Sequence, residues 1–183
     1  EMGIKSNIIP MSNENSEIEL ITDIGRLDFH DFLIKHQSSP EVLDIKYSNV
    51  IPSEGVVESI ENSDAVIIGP SNPITSISPI LYLEGVKKAL KNTYTIAVSP
   101  IVGSDTVSGP ASKFMKALDI EVSSVGVASL YKDFLDVMVI DEKDYDLKDE
   151  LENIVDKVVV TNTIMKTLDD KKNLAGIIFY NIK

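Results

Sequence analysis

No cysteine occurs in the 183 residues, which excludes disulfides, thiolate metal sites and cysteine nucleophiles and accords with a reducing compartment. No apolar run approaches the roughly 20 residues that a membrane helix needs. The start carries no basic stretch leading into an apolar one, so a cytoplasmic protein without a membrane partner is expected. Positive charge is scarce: 17 basic residues face 29 acidic ones for a net charge of −12, and Arg26 is the single arginine. A nucleic-acid partner would need a basic patch, and none is there. Any phosphate bound by this chain must therefore lean on backbone donors, hydroxyls, lysines or a metal ion. Histidine is limited to His30 and His36, which read as surface or packing residues rather than a catalytic base.

What is present is enough apolar material for a real core. Hydrophobic residues make up 43% and charged ones 25% of the chain, the balance of one ordinary globular domain. The pattern is organised around Gly69-Pro70-Ser71-Asn72-Pro73-Ile74-Thr75-Ser76-Ile77-Ser78-Pro79-Ile80. The apolar run before it reads as a buried strand, and Ile80, Leu81, Val86 and Leu90 after it follow helical periodicity. Gly69-Pro70 stops the strand, Asn72-Pro73 turns the chain, Ser76 and Ser78 are candidate N-caps, and Pro79 suits a first helical position. Free amides and hydroxyls at such a crossing suit a phosphate, because ligands of open α/β sheets settle outside the carboxyl ends of the strands. An ordinary, well-capped loop fits the same residues.

Residues 1–50 read as a small αβ lobe or sheet edge. In it, 7–10 and 18–21 look like two strands of a hairpin, and 42–47 alternates like a third strand. From residue 51 to 183 the rhythm is that of an α/β core. Helices are expected around 56–60, 79–91, 110–118 and 126–131, with a last one starting near 161–163. Strands are expected at 65–68, 94–98, 120–123, 137–140 and 158–160. This is a doubly wound, Rossmann-like parallel sheet. The segment Ser99-Pro100-Ile101-Val102-Gly103-Ser104-Asp105, leading to Gly109-Pro110, repeats the geometry of the first loop. Two such loops on adjacent strands would form two walls of one cleft. Asp133, Asp136, Asp141 and Asp144 gather around the 137–140 strand, where they could ligate a divalent metal or form a solvated acidic surface.

The wording GPSNPITSISPIL, followed by Ala97-Val98-Ser99-Pro100-Ile101-Val102-Gly103 and Ser108-Gly109-Pro110-Ala111, resembles the 2-phospho-L-lactate transferase family. Ile9-Pro10-Met11-Ser12, Val127-Ala128 with Tyr131 and Asp133, and Thr161-Asn162-Thr163-Ile164-Met165 are similar as well. Ser104 stands where that family usually has a second glycine. The glycine-rich opening of the GGTGGAK kind is absent, and the family's aspartate and basic contacts to the deazaflavin lie upstream of what is here. The chain therefore resembles the C-terminal portion of the enzyme, a chain starting in mid-fold. An exposed strand edge and a homo-oligomer are then expected.

The resemblance implies a transferase of coenzyme F(420) biosynthesis. It would move a 2-phospho-L-lactyl group from lactyl-2-diphospho-5′-guanosine to the deazaflavin Fo, release GMP and use Mg2+. It also implies binding of the diphosphate, or of GDP, by Gly69, Pro70, Ser71, Asn72, Pro73, Ser76 and Ile77, with backbone N–H groups from Ile77 to Ile80. Ser99, Pro100, Gly103 and Gly109 would line the opposite wall. No catalytic residue is singled out, and phosphoryl transfer needs none that attacks covalently. Related folds that bind nucleotide sugars as regulators offer a second reading, and an inactive fragment a third.

Overall fold

The computed structural model describes residues 6–103, 105–106 and 111–182. Its centre is a four-stranded, wholly parallel sheet in which β4 (Val66–Ile68), β5 (Thr95–Val98), β8 (Val137–Asp141) and β9 (Lys157–Thr161) lie side by side in that order. The inner strands β5 and β8 are buried along their whole length. Side chains of a strand alternate between faces, and here both faces are apolar, as a parallel sheet covered on two sides requires. Ile96, Val98, Val137 and Val139 meet Leu174 and Ile178 of α7 (Leu168–Tyr180) on one face. Burying each of those two helix side chains is worth about 2 kcal/mol. Ala97, Met138 and Ile140 enter the larger core on the other face, with Phe114 and Met115 of α4 (Ala111–Ala117) and Val127, Ala128 and Tyr131 of α5 (Ser124–Tyr131).

The N-terminal lobe is a three-stranded antiparallel sheet of order β2-β1-β3, formed by β1 (Ile18–Thr22), β2 (Gly25–Asp28) and β3 (Val42–Tyr47). Thr22 Oγ1 donates to the Gly25 carbonyl at 2.6 Å, and Gly25 turns the chain at φ +115°, a conformation that suits glycine. Leu20, Phe32, Val42 and Ile45 belong to the same core cluster as the parallel sheet. Phe32 and Phe29 lie 5.7 and 5.9 Å from the Phe114 ring, and Lys113 Nζ donates to the carbonyls of Ser38 and Ser39.

Several expectations are corrected. Residues 7–10 form no strand: Ile8 is 78% exposed. The neighbouring segment is tied down by isolated bonds, Ser53 N–H to the Met11 carbonyl and Ser12 Oγ to the Ile51 carbonyl, in place of a ladder. The hairpin partner of 18–22 is instead 25–28. The single helix expected over 79–91 is two pieces, α2 (Ser78–Leu81) and α3 (Val86–Leu90), and a π-turn at Pro73–Ile77 leads into the first. Gly85, at φ +84°, separates the last two. Residues 120–123 are not a strand but the entry to α5, whose N-cap is Ser123. A Cβ on Gly126 would stand 1.9 Å from the Glu121 carbonyl oxygen, so only glycine lets this segment cross so near the helix. The last helix starts at Leu168 behind a Thr167–Asp170 capping box, which supplies the donors and acceptors that Thr161 and Thr163 do not.

Further elements are α1 (Val56–Glu61), the short hairpin β6 (Ile101–Val102) with β7 (Asp105–Thr106), a 3-10 turn at Glu142–Leu147 and α6 (Lys148–Leu151).

Candidate functional site

Strands β4 and β5 pair in parallel through Val66 with Thr95, Ile67 with Ile96 and Ile68 with Ala97. The loops that begin at Gly69 and Ser99 therefore leave neighbouring strands at the same, carboxyl, edge. The expected adjacency of the two loops is present. Their polar groups are used differently from the expectation.

In the first loop Asn72 is 7% exposed. Its Oδ1 accepts the N–H groups of Ile74 and Thr75 at 3.0 and 3.1 Å, and its carbonyl accepts those of Ser76 and Ile77. The Ser78 amide and hydroxyl both donate to the Pro73 carbonyl. The amides of Ile77 and Ser78, expected to face a phosphate, are thus committed to the turn, because a buried asparagine caps all four N–H groups of its opening. Tyr47 donates its hydroxyl to the Ile74 carbonyl at 2.8 Å; burial pushes that phenol up to about 12. Gly69 and Ser76 are exposed, and Pro70 and Ser71 are half-buried. Thr75 and Ile77 are half-buried as well.

In the second loop Ser99 is 1% exposed. Its amide donates to the Val139 carbonyl, and its hydroxyl joins Ile101 and the Ser124 hydroxyl, the last at 2.9 Å. Pro100 is buried beside it. Gly103, at φ +63°, donates its N–H to Asp144 Oδ1 at 2.9 Å. Gly109, Ser104, Ser108 and Pro110 lie outside the described residues.

The acidic cluster divides. Asp136 sits at the opposite, amino, edge of the sheet, where it accepts the Thr95 N–H at 2.7 Å, and Asp133 is exposed. Asp141 and Asp144 remain at the carboxyl edge, 3% and 5% exposed. Asp141 accepts from Thr163 N–H and Oγ1 at 2.9 and 3.1 Å and from the Lys143 N–H at 3.2 Å. Asp144 Oδ2, by contrast, is buried without a hydrogen-bond partner. Burial raises the Asp144 carboxyl above the usual range; the Gly103 bond opposes the rise and Asp141 adds to it. From the end of β8, two carboxylates thus hold both flanking loops, Asp144 the one after β5 and Asp141 the one after β9. Thr163 and Ser124 are the positions that sequence reasoning gave no role at this edge. His30 is exposed and His36 half-buried, both on the lobe. A cavity of about 600 Å³ lies between the end of β9 and α7, where Thr161, Asn162, Asp170, Asn173 and Tyr180 line it; no described residue of the paired loops is among its lining.

Residues 1–174 match the family described as 2-phospho-L-lactate transferase CofD. The chain belongs to that family. It is 49% identical over 181 residues to the 2-phospho-L-lactate transferase of Methanothermobacter thermautotrophicus, covering 99% of this chain and 59% of that protein. The corresponding figures for the Methanocaldococcus jannaschii protein of the same name are 50%, 95% and 57%. The chain spans less than three fifths of the length of these relatives and corresponds to their C-terminal region. Among solved structures, protein BH3568 from Bacillus halodurans superposes with a TM-score of 0.64 at 13% identity, over 97% of this chain and 63% of that one. A second structure of BH3568, described as a member of the UPF0052 family, gives 0.62 at 14%. These two likenesses concern the fold. Among the described residues no helix is long and apolar enough to cross a membrane.

Proposed function

We propose that this chain supplies the C-terminal part of a 2-phospho-L-lactate transferase of coenzyme F(420) biosynthesis. In this reading a terminal hydroxyl of the deazaflavin Fo attacks the lactate-bearing phosphorus of lactyl-2-diphospho-5′-guanosine. The new P–O bond forms as the anhydride bond to GMP breaks, and the hydroxyl proton leaves to solvent or a nearby base. The observation that carries the proposal is the pairing of β4 with β5, which sets two family-specific loops side by side at the ligand edge of a parallel sheet. Family membership and the names of relatives near 50% identity support it.

The roles follow from what each group has left to offer. Ser71 and Ser76 present hydroxyls to the diphosphate, Gly69 and Pro70 allow its close approach, and Asn72, Pro73 and Ile77 keep the loop in shape. Ser99 and Pro100 hold the other wall rigid, while Gly103 shapes its rim. Magnesium, when bound, would neutralise charge on the transferring phosphate. The orphaned Asp144 oxygen fits such an ion. A cytoplasmic setting and self-association through a sheet edge belong to the same proposal.

The test is an assay of phospholactyl-deazaflavin and GMP formation from Fo and the guanosine donor with Mg2+. It is run on this 183-residue chain and on the polypeptide extended to the length of its relatives. The extended protein should turn over. The shorter chain should be at least about 100-fold slower, since misplacing reacting groups by about 1 Å already costs that much. Absence of product from the extended protein would remove the proposal.

A further inference from the structure

The two carboxylates at the end of β8 are built alike but finished differently. Asp141 has every oxygen engaged by Thr163 and Lys143. Asp144 has one oxygen engaged, by the Gly103 amide, and one buried with nothing to accept. The ion pairs among the described residues join Arg26 to Glu19, Lys35 to Asp31, Lys148 to Glu152 and Lys172 to Asp169, so neither carboxylate takes part in one. Buried charges are paired or coordinate metals, because a buried carboxylate oxygen without a partner is costly. An anionic diphosphate beside this edge would be repelled by the Asp144 oxygen that no donor compensates. A cation on that oxygen would turn the repulsion into attraction.

We propose that Asp144 Oδ2 is a ligand of a divalent, oxygen-preferring cation that joins the loop after β5 to the diphosphate of the bound nucleotide. This rests on the functional reading above and adds to it the protein atom that receives the metal. Magnesium commonly takes one or two carboxylates and completes its shell with water and substrate phosphates. A single carboxylate is therefore sufficient, and among the described residues no group of three or more acidic or histidine side chains forms an all-protein cage. The second oxygen lies on the same carboxyl as the one gripping Gly103, so the cation would sit against the second loop. Asp144 is also the one residue of the Glu142–Leu147 turn with non-helical backbone, at φ −101° and ψ 16°.

The experiment uses the polypeptide at the length of its relatives, with Mn2+ as the probe, and counts bound Mn2+ by electron paramagnetic resonance with and without GDP. The wild-type protein should hold Mn2+ about tenfold more tightly with GDP present. Asp144→Asn keeps an oxygen for the Gly103 amide. It should lose that Mn2+ while still melting cooperatively as a folded protein. Mn2+ binding at wild-type strength in this variant would overturn the proposal, as would GDP binding by the wild type with no Mn2+ recruited. If GDP fails to bind under every condition, the functional reading falls; Mn2+ held by the wild type alone and lost in the variant would still support this site. Should the variant not fold, nuclear magnetic resonance of the wild type decides. The Gly103 amide signal should broaden with Mn2+, and a sharp signal at saturating Mn2+ overturns the proposal.

Discussion

The two loops at the carboxyl edge look equivalent in sequence and are held by opposite strategies. The loop after β4 supports itself: Asn72, Pro73 and Ser78, all within the loop, supply nearly every bond that shapes it. The loop after β5 is held from outside, by Ser124 at the start of α5 and by Asp144 beyond β8, 25 and 41 positions away. A locally capped turn forms wherever its own sequence is intact. A loop shaped by distant groups is correct only when the sheet and its covering helices are already in place. The first loop is therefore a fixed platform and the second a reporter of the fold around it.

Substitutions at five positions test that contrast, from the largest expected effect downward. Gly126→Ala places a methyl where the Glu121 carbonyl oxygen stands 1.9 Å away, so α5 must shift and carry Ser124 from Ser99. About 3 kcal/mol of stability should be lost, as for other overpacked sites, and chemical denaturation measures it. A loss under half that would show that α5 is not the rigid support described.

Ser99→Ala and Ser124→Ala each leave a buried partner unsatisfied and should cost about 2 kcal/mol. Because the two hydroxyls serve each other, the double variant should lose clearly less than the sum. Additive losses in this thermodynamic cycle would mean that the hydroxyls do not support each other. Asn72→Ala removes a local cap and should cost about 1 kcal/mol. Asn72→Asp, which keeps an acceptor in the same place, should restore most of it. A thermal melt that ranks Asp with Ala would show that something other than the cap holds the first loop.

The smallest effect is a pH dependence. Tyr47, bonded to the first loop through Ile74, has its phenol raised by burial from 10.0 to about 12. The unfolded chain ionises there first, so this contribution is complete below pH 10 and declines as pH rises toward 12. Tyr47→Phe should flatten the alkaline side of the stability profile. The same decline in the variant would place its origin in another group.

The parts of the fold that were legible are those written in one local stretch. Strands β5 and β8 announce themselves because a parallel strand covered on both faces is largely apolar, and β9 through its Val158-Val159-Val160 run. The first loop is legible because cap, proline and turn residues are adjacent. Gly85 breaks the 79–91 helix through its positive φ, but a lone glycine in a periodic segment reads as tolerable. The 120–123 segment has strand-forming residues, yet it passes against Gly126 and caps α5, a use that only packing reveals. The division of the acidic cluster was equally hidden, since sequence spacing does not say which end of the β8 strand each carboxylate occupies. At the site, adjacency of the loops followed from topology. The commitment of their amides, and the Asp144 bond to Gly103, depend on contacts between residues far apart in the chain.

Phe114 and Lys113 carry one further consequence. They sit at the start of α4, the helix the chain enters after the second loop, and both are gripped by the antiparallel lobe, through Phe29 and Phe32 and through the Ser38 and Ser39 carbonyls. The lobe is thus a mechanical clamp on the downstream anchor of that loop, while Asp144 clamps it upstream. A load on the lobe, from a bound ligand or an adjoining stretch of polypeptide, would pull on the cleft's second wall through α4 and on its first wall through Tyr47, which bonds Ile74 and packs against Tyr82. The lobe is mechanically geared to both walls of the cleft.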